Sequence, residues 1–305
     1  MSKARSLVLA SVLALAACAS HTPRPAADPA PPPVVSAHTP ATIVRSGALA
    51  DDNLNAVLWS QRAIEHDLVY QQIYRDAQDR LLAALKDKRW DALAKGDRLA
   101  PVAGLKPAVV LDIDETVLDN APYQARLIAR GGEYDEADWA AWCRQAAARA
   151  LPGAVAFTQF AARHGVAVIY ISNRASALDQ VTLENLRKVG LPVAGPNALL
   201  GLGSPIAGCT QGGGSDKSCR RQWVSRTYRV LMQFGDQLAD FVAVPSNTDA
   251  GREQAIAPYR EWIGERWFVL PNPTYGAWES ALFDNQPGLS RPQRRQLKLQ
   301  SLRTE

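Results

Sequence analysis

Histidine is scarce in this chain. The four histidines are scattered and form no cluster, and the four cysteines fall at none of the short paired spacings of a zinc site. No Ser-His-Asp arrangement suggests itself either. Long apolar runs are also missing: the stretch at residues 7–15 (LVLASVLAL) is too short for a comfortable membrane span, which takes about 20 residues. Strong charge of either sign is absent. A formal net charge of +4 over 305 residues is too mild to point to nucleic acid, and no duplex binding is expected. With 47% apolar and 21% charged residues, the composition is ordinarily globular, neither collagen-like nor dominated by disorder. The length suits one large domain or two small ones.

The short apolar run reads as part of an address. Lys3 and Arg5 precede it as a positive region, and the small residues Ala16 and Ala17 follow it, just before Cys18. Leu15-Ala16-Ala17-Cys18 resembles a bacterial lipobox, which implies removal of residues 1–17 and lipidation of the Cys18 sulfur. An ordinary secretory signal cleaved nearby is the alternative. Ala19, where an aspartate would signal retention at the inner membrane by analogy with enterobacterial sorting, implies the outer membrane. Residues 18–48, rich in Pro and Ala, read as an extended tether. Residues 49–284 are expected to form the folded domain. Residues 285–305 form a basic tail (Arg291, Arg294, Arg295, Lys298, Arg303), expected to be solvated and partly frayed, with contact to an anionic lipid surface as the alternative. Export to an oxidising compartment permits a disulfide. Cys209 and Cys219 flank a Gly-rich loop (TQGGGSDKS), and a bridge between them is the expected pairing. Cys143 is then left as a buried thiol.

Within the domain, a helical stretch is predicted over 51–95. Leu54, Leu58, Ile64, Leu68, Ile73, Ala77, Leu81 and Leu85 fall on helical spacing, and the stretch reads as two helices. Its aromatics, Trp59, Tyr70 and Tyr74, read as packing. Four short apolar runs follow, at 108–112 (AVVLD), 166–171 (VAVIYI), 230–234 (VLMQF) and 267–270 (WFVL); they are of the kind found in buried parallel strands. Helices are predicted near Asp138, from Pro152 to Gly165, and over 176–189 with Gly190 as the stop. Strands alternating with helices predict an α/β fold with a doubly wound, mostly parallel, Rossmann-like sheet. Such folds place their chemistry just past the carboxyl ends of the strands. Asp112, Ser172 and Asp236 stand at three of those ends.

Asp112 and Asp114 put two carboxylates where a buried strand meets its loop. Burying them is costly unless a cation or hydrogen bonds compensate, and a hard divalent ion with oxygen ligands is the usual answer. Asp236 and Asp240 make a second acidic pair at another strand end. Ser172, Asn173 and Arg174 offer a hydroxyl and backbone N–H groups, and Lys217 a point charge. Two decoys fail. Gly212-Gly213-Gly214 before Lys217 lacks the Gly-Lys-Ser/Thr of a P-loop and no apolar strand leads into it. The segment 112–119 is no EF-hand loop, because Val117 stands where glycine is required.

These residues resemble the four motifs of the haloacid-dehalogenase superfamily: Asp112-x-Asp114-x-Thr116, Ser172, Lys217, and the run from Gly235 to Phe241. The resemblance narrows to the class C bacterial acid phosphatases, which include outer-membrane lipoproteins acting as 5′-nucleotidases. It is carried by 111–120 (LDIDETVLDN), 171–174 (ISNR), 216–218 (DKS), Arg220-Arg221 and 270–279 (LPNPTYGAWE). The resemblance implies a haloacid-dehalogenase fold with a helical N-terminal segment and a small cap-like insertion. It implies that Asp112 attacks phosphorus and that Asp114 serves as general acid and then base. Mg²⁺, or another divalent cation, would be held by the carboxylates of Asp112 and Asp236 and the main-chain carbonyl of Asp114, with Asp240 orienting its bound water. Ser172 and Lys217 would neutralise phosphoryl oxygens. Trp139 and Tyr275, with Asn173 and Arg174, would line the leaving-group pocket. The expected activity is acid phosphatase, with 5′-nucleotides as substrates. Sugar phosphates or phosphotyrosine are the alternative substrates, and a non-catalytic surface lipoprotein on the same fold is the alternative function.

Overall fold

Residues 52–206, 209 and 215–304 are described by a computed structural model. The expected signal peptide, Cys18 and the tether lie outside the described residues. The described residues begin with helices α1 (Leu54–Arg62) and α2 (Ile64–Lys86), then strand β1 (Lys106–Leu111) and the two-residue β2 (Leu118–Asp119). Helices α3 (Ala121–Arg130) and α4 (Glu136–Arg144), the two-residue β3 (Arg149–Ala150), α5 (Ala154–Arg163) and β4 (Ala167–Ala175) follow. Next come α6 (Asp179–Lys188), β5 (Leu199–Leu202), α7 (Ser218–Ser225) and β6 (Tyr228–Gly235). The last elements are α8 (Asp249–Ile256), β7 (Trp267–Val269), α9 (Ala277–Ala281) and α10 (Arg291–Gln300).

Five strands form one sheet in the order β5-β4-β1-β6-β7, with parallel neighbours throughout. The central strands are apolar because they are covered on both faces. Along β1 the side chains alternate: Val109 and Leu111 join one core cluster, while Ala108 and Val110 join the other. From β1 the chain moves outward to β4 and β5, then returns to the other side of β1 for β6 and β7. The direction of winding therefore reverses between β1 and β6. In doubly wound sheets the crevice at that reversal is where ligands bind, and Asp112 and Asp236 follow these two strands. The edge strand β5 was not anticipated, since four residues with a central glycine (LLGL) make no readable apolar run.

The first helices come as a pair, broken at Ala63, whose backbone is extended (φ −79°, ψ 126°). Their buried face keeps only part of the expected stripe. Leu54, Leu58, Ile64 and Leu68 are exposed, whereas His66, Tyr70, Tyr74, Ala77, Leu81 and Ala84 are buried. Tyrosine wins the inner positions because it fills space and also donates a hydrogen bond. The Tyr74 ring stacks on Phe234 at 5.5 Å between centroids, and its hydroxyl reaches a backbone carbonyl beyond β1.

The basic C-terminal stretch is not a frayed tail. It forms α10, opened by a reciprocal capping box between Ser290 and Gln293 with Pro292 in the first turn. Ion pairs Arg294–Glu133, Arg295–Asp52 and Lys298–Glu279 hold it against the domain. Cys209 and Cys219 are joined in a disulfide, and Cys143 is buried and unpaired.

Helix α7 is fixed by two buried arginines. Arg220 donates to the Ser172 carbonyl at 2.5 Å and to Asn173 Oδ1 at 2.6 Å. Arg221 pairs with Asp97 at 2.6 Å and donates to the carbonyls of Ala239 and Asp240 at 2.8 and 3.1 Å. Removing one partner of a buried pair strands the other charge. Asp97→Ala is therefore expected to lower stability by about 3 kcal/mol in urea unfolding, with Asp97→Asn losing less. An unchanged midpoint in Asp97→Ala would show that this pair does not anchor α7.

Candidate active site

The site begins where β1 ends. The Asp112 N–H donates to the Phe234 carbonyl at 2.9 Å, so this residue still follows the sheet. The chain then turns sharply. The N–H groups of Val117 and Leu118 both donate to the Ile113 carbonyl at 2.9 Å, and Glu115 takes a positive φ of 55°, a conformation uncommon outside glycine. Two tyrosines of α2 hold this turn from below: Tyr70 Oη donates to the Glu115 carbonyl at 2.6 Å and Tyr74 Oη to the Thr116 carbonyl at 2.7 Å. The Glu115 carboxyl accepts the Asn120 N–H at 2.8 Å and the Tyr275 hydroxyl. Burial pushes that carboxyl well above the ordinary range, and the nearby Asp114 and Asp236 add to the rise.

Asp112, Asp236 and Asp240 bring carboxylate oxygens within 4.8 Å of one another. The buried Lys217 ammonium donates to Asp112 and, at 2.7 Å, to Asp240. Asp236 accepts from Gln237 Nε2 at 2.7 Å and Asn272 Nδ2 at 2.9 Å. Gly235 makes the approach possible, because a Cβ there would collide with the Asp240 carboxylate. Burial drives Asp112 well above the usual carboxylate range; Lys217 pulls it back, while Asp240, Asp236 and Asp114 raise it further. Asp236 is raised to about 7, by burial first and by Asp240 next. Burial works against the Lys217 charge, but the two carboxylates it touches outweigh that and raise it. Crowded, desolvated carboxylates with one ammonium among them still favour more positive charge. The all-oxygen donor set suits a hard divalent cation.

Asp114 lies apart from this cluster. Arg174, itself buried, donates through Nη2 to Asp114 Oδ1 at 2.7 Å and through Nε to both oxygens at 3.0 and 3.2 Å. Asn120 Nδ2 adds a bond to Oδ1 at 2.8 Å, and Asn120 is itself held by Trp142 Nε1 at 2.8 Å. The two aspartates of one motif thus enter different environments: Asp112 faces an ammonium, Asp114 a guanidinium.

A cavity of about 750 Å³ opens over these groups, within the range of small-molecule sites. Asp112, Asp114, Lys217, Asp236 and Asp240 line it, and so do Trp139, Asn173, Arg174 and Tyr275. Tyr123, Tyr134 and Trp278 add aromatic wall, and α10 contributes Arg291, Arg294, Arg295 and Lys298. Two placements add detail to the sequence reading. Asp240, expected one layer out, stands in the acidic cluster itself, although both its oxygens are engaged, by Lys217 and by the Gln237 N–H at 2.8 Å. Ser172 is fully buried behind the wall, its Oγ accepting the Arg174 N–H at 3.0 Å. Sequence reasoning did not single out Asn120, Glu115, Asn272 or Gln237, or the support from Tyr70 and Tyr74. Asn120, Glu115, Asn272 and Gln237 all sit inside the motif segments, which was the one available signal.

Chemically, the arrangement offers a carboxylate beside an ammonium and a cation-binding cluster, with a second carboxylate in the same cavity. Positive charge there attracts an oxyanion, the first carboxylate can attack it, and the second can exchange a proton.

Residues 40–278 match the family described as HAD superfamily, subfamily IIIB (Acid phosphatase). Among solved structures, the class C acid phosphatase from Bacillus anthracis is similar, with 34% identity and a TM-score of 0.71, covering 83% of this chain and 97% of that one. The same enzyme with tungstate bound gives a TM-score of 0.72 at the same identity and coverage. Among curated proteins, acid phosphatase 1 of Solanum lycopersicum is 28% identical over 167 residues, 54% of this chain and 57% of that protein. Vegetative storage protein 1 of Arabidopsis thaliana is 27% identical over 169 residues, 54% of each. The chain thus spans about half the length of these curated relatives.

The tyrosine supports under the turn give a direct test. Tyr74→Phe keeps the ring packing but leaves the buried Thr116 carbonyl without its donor, a loss of about 1–3 kcal/mol. Thermal unfolding should show it, and an unchanged midpoint would mean that the hydroxyl does not hold the turn.

Proposed function

The chain belongs to the acid phosphatase family of the HAD superfamily, subfamily IIIB, and we propose that it hydrolyses phosphomonoesters, 5′-nucleotides in particular, through an aspartyl-phosphate on Asp112. The observation that carries this reading is the meeting of Asp112, Lys217, Asp236 and Asp240 at the ends of β1 and β6, in the same cavity as Asp114. Tungstate, a tetrahedral oxyanion like phosphate, is bound by the Bacillus anthracis enzyme. That supports an oxyanion site here.

In the first half-reaction an Asp112 oxygen attacks phosphorus and the bond to the ester oxygen breaks. Asp114 gives its proton to the departing alkoxide. In the second, Asp114 takes a proton from water, the oxygen attacks phosphorus, and the Asp112 carboxylate is released with inorganic phosphate. Lys217 neutralises charge on the phosphoryl oxygens. The Arg174 guanidinium keeps Asp114 aimed into the cavity and away from the acidic cluster. Mg²⁺, when bound, supplies charge neutralisation for the transferring group; the Asp112 and Asp236 carboxylates and the Asp114 main-chain carbonyl would hold it. Trp139 and Tyr275 on the cavity wall offer faces on which a nucleobase can stack.

We also propose export and lipid attachment at Cys18, with the outer membrane as destination. A Cys209–Cys219 disulfide accords with an oxidising compartment. No helix among the described residues is long and apolar enough to cross a membrane. Cys18→Ser should abolish lipid labelling and release activity from the membrane fraction; a mutant that labels and sediments like wild type would refute the anchor.

Two further experiments address the chemistry. Chelation is expected to abolish turnover of p-nitrophenyl phosphate and Mg²⁺ to restore it, with Asp236→Ala losing cation affinity by calorimetry. Full activity of a metal-free protein in excess chelator would exclude the cation. Asp112→Asn should yield no trapped phosphoenzyme, while Asp114→Asn should slow alkyl phosphates by about 10²–10⁴-fold. A leaving group needing no proton should partly rescue Asp114→Asn. Phosphate found on Ser172 would overturn the assignment. A panel of 5′- and 3′-nucleotides and sugar phosphates, compared by kcat/KM, tests the substrate.

A further inference from the structure

Helix α10 lies beyond the family-matched residues, yet it forms part of the cavity wall. Arg291, Arg294, Arg295 and Lys298 stand at i, i+3, i+4 and i+7, which puts them on one face of the helix. All four line the cavity. The side chains of Arg294, Arg295 and Lys298 are 29–34% exposed, as expected at a mouth where cavity meets solvent.

What holds the helix there is unusual for an element that bounds a site. No residue of α10 is buried, and Leu299 and the following Leu302 are exposed. Ion pairs tie it to three separate parts of the rim. Arg295 reaches Asp52, ahead of α1; Arg294 reaches Glu133, between α3 and α4; Lys298 reaches Glu279 of α9. Glu133 and Glu279 belong to segments that also carry the aromatic wall residues Tyr134 and Trp278. Partly exposed pairs of this kind are individually weak and are screened by salt.

We propose that α10 is a strap fastened across the cavity mouth by charge, and that it makes the enzyme selective for phosphomonoesters with small leaving groups. This rests on the phosphatase reading above and adds a determinant of substrate size to it. A phosphate carried on a polypeptide must displace the strap to reach Asp112, whereas a small ester fits the cavity of about 750 Å³ beneath it. No residue of the strap belongs to the buried core.

The test compares phenyl phosphate with a tyrosine-phosphorylated peptide. Both release a phenol, so the chemistry is matched and only the bulk differs. The preference for phenyl phosphate, as a ratio of kcat/KM values, is measured in the intact chain, in a chain ending at Leu289, and in the full-length triple variant Arg294→Glu, Arg295→Glu, Lys298→Glu. The preference should fall by about tenfold in both altered proteins. Lys298→Glu alone should lower it in part, and Lys298→Glu with Glu279→Lys should restore it, which a merely structural role would not do. The intact chain needs no variant to report: its preference should fall as salt rises. A preference that is the same in every protein and at every salt concentration overturns the strap and leaves the phosphatase reading standing. If the intact chain hydrolyses neither ester, the phosphatase reading falls and the strap with it.

Discussion

Three carboxylates held within 4.8 Å of one another at the ends of two buried strands are costly unless positive charge is brought to them. In this chain the Lys217 ammonium meets part of that demand, touching Asp112 and Asp240 at once. Much of the surrounding structure is what it takes to keep that ammonium in place. Lys217 stands at the N-cap position of α7, and the first turn of α7 supplies Arg220 and Arg221, which grip β4 at Ser172 and the turn after β6 at Ala239. The Cys209–Cys219 bond ties the preceding loop to the same helix. Gln237 and Asn272 satisfy one oxygen of Asp236, and Gln237 one of Asp240, that Lys217 does not reach. Binding a phosphate and burying the acidic cluster thus ask for the same charge at the same point.

A second constraint separates the two aspartates of the first motif. They are two residues apart and have the same side chain, so a fixed turn between them is the only thing that can send them to different partners. The turn is held through its carbonyls by Tyr70 and Tyr74 from α2, and Asp114 is received by Arg174 from β4 and by Asn120, between β2 and α3. The proposed nucleophile and proton donor are therefore positioned by different layers of the fold. That is a physical basis for giving them different tasks.

The strands β1, β4 and β6 were legible because burial on both faces writes a continuous apolar run, β7 because its short edge run is apolar too, and the acidic residues that follow β1 and β6 stood out as anomalies. Edge strand β5 was not legible, since it is short and interrupted by glycine. On α1 and α2 the tyrosines read as packing are buried, with Ala77 and Leu81, but Leu54, Leu58, Ile64 and Leu68 of the expected stripe are exposed, because periodicity reports local hydrophobicity. It does not report that a tyrosine hydroxyl will find a carbonyl 42 residues away. The same limit applies to Arg174 with Asp114 and to Arg221 with Asp97, pairs separated by 60 and 124 residues. Helix α10 did carry a local signal, Ser290-Arg291-Pro292-Gln293, which is a capping box with an early proline. Its basic face drew the reading toward a solvated tail, because the acidic partners at Asp52, Glu133 and Glu279 come from three distant segments.

The centre and the rim of the site are held by the same kind of force under opposite conditions. At the centre, Lys217 and Arg174 are buried against carboxylates, where charge pairs are little screened and any loss strands a partner. At the mouth, the pairs made by Arg294, Arg295 and Lys298 face solvent, where each is weak and depends on ionic strength. A fold arranged this way can keep its reacting groups fixed while the outer wall stays adjustable. The geometry of the chemistry and the size of what is admitted are then set by separate residues, and changes at the rim need not disturb the carboxylates beneath.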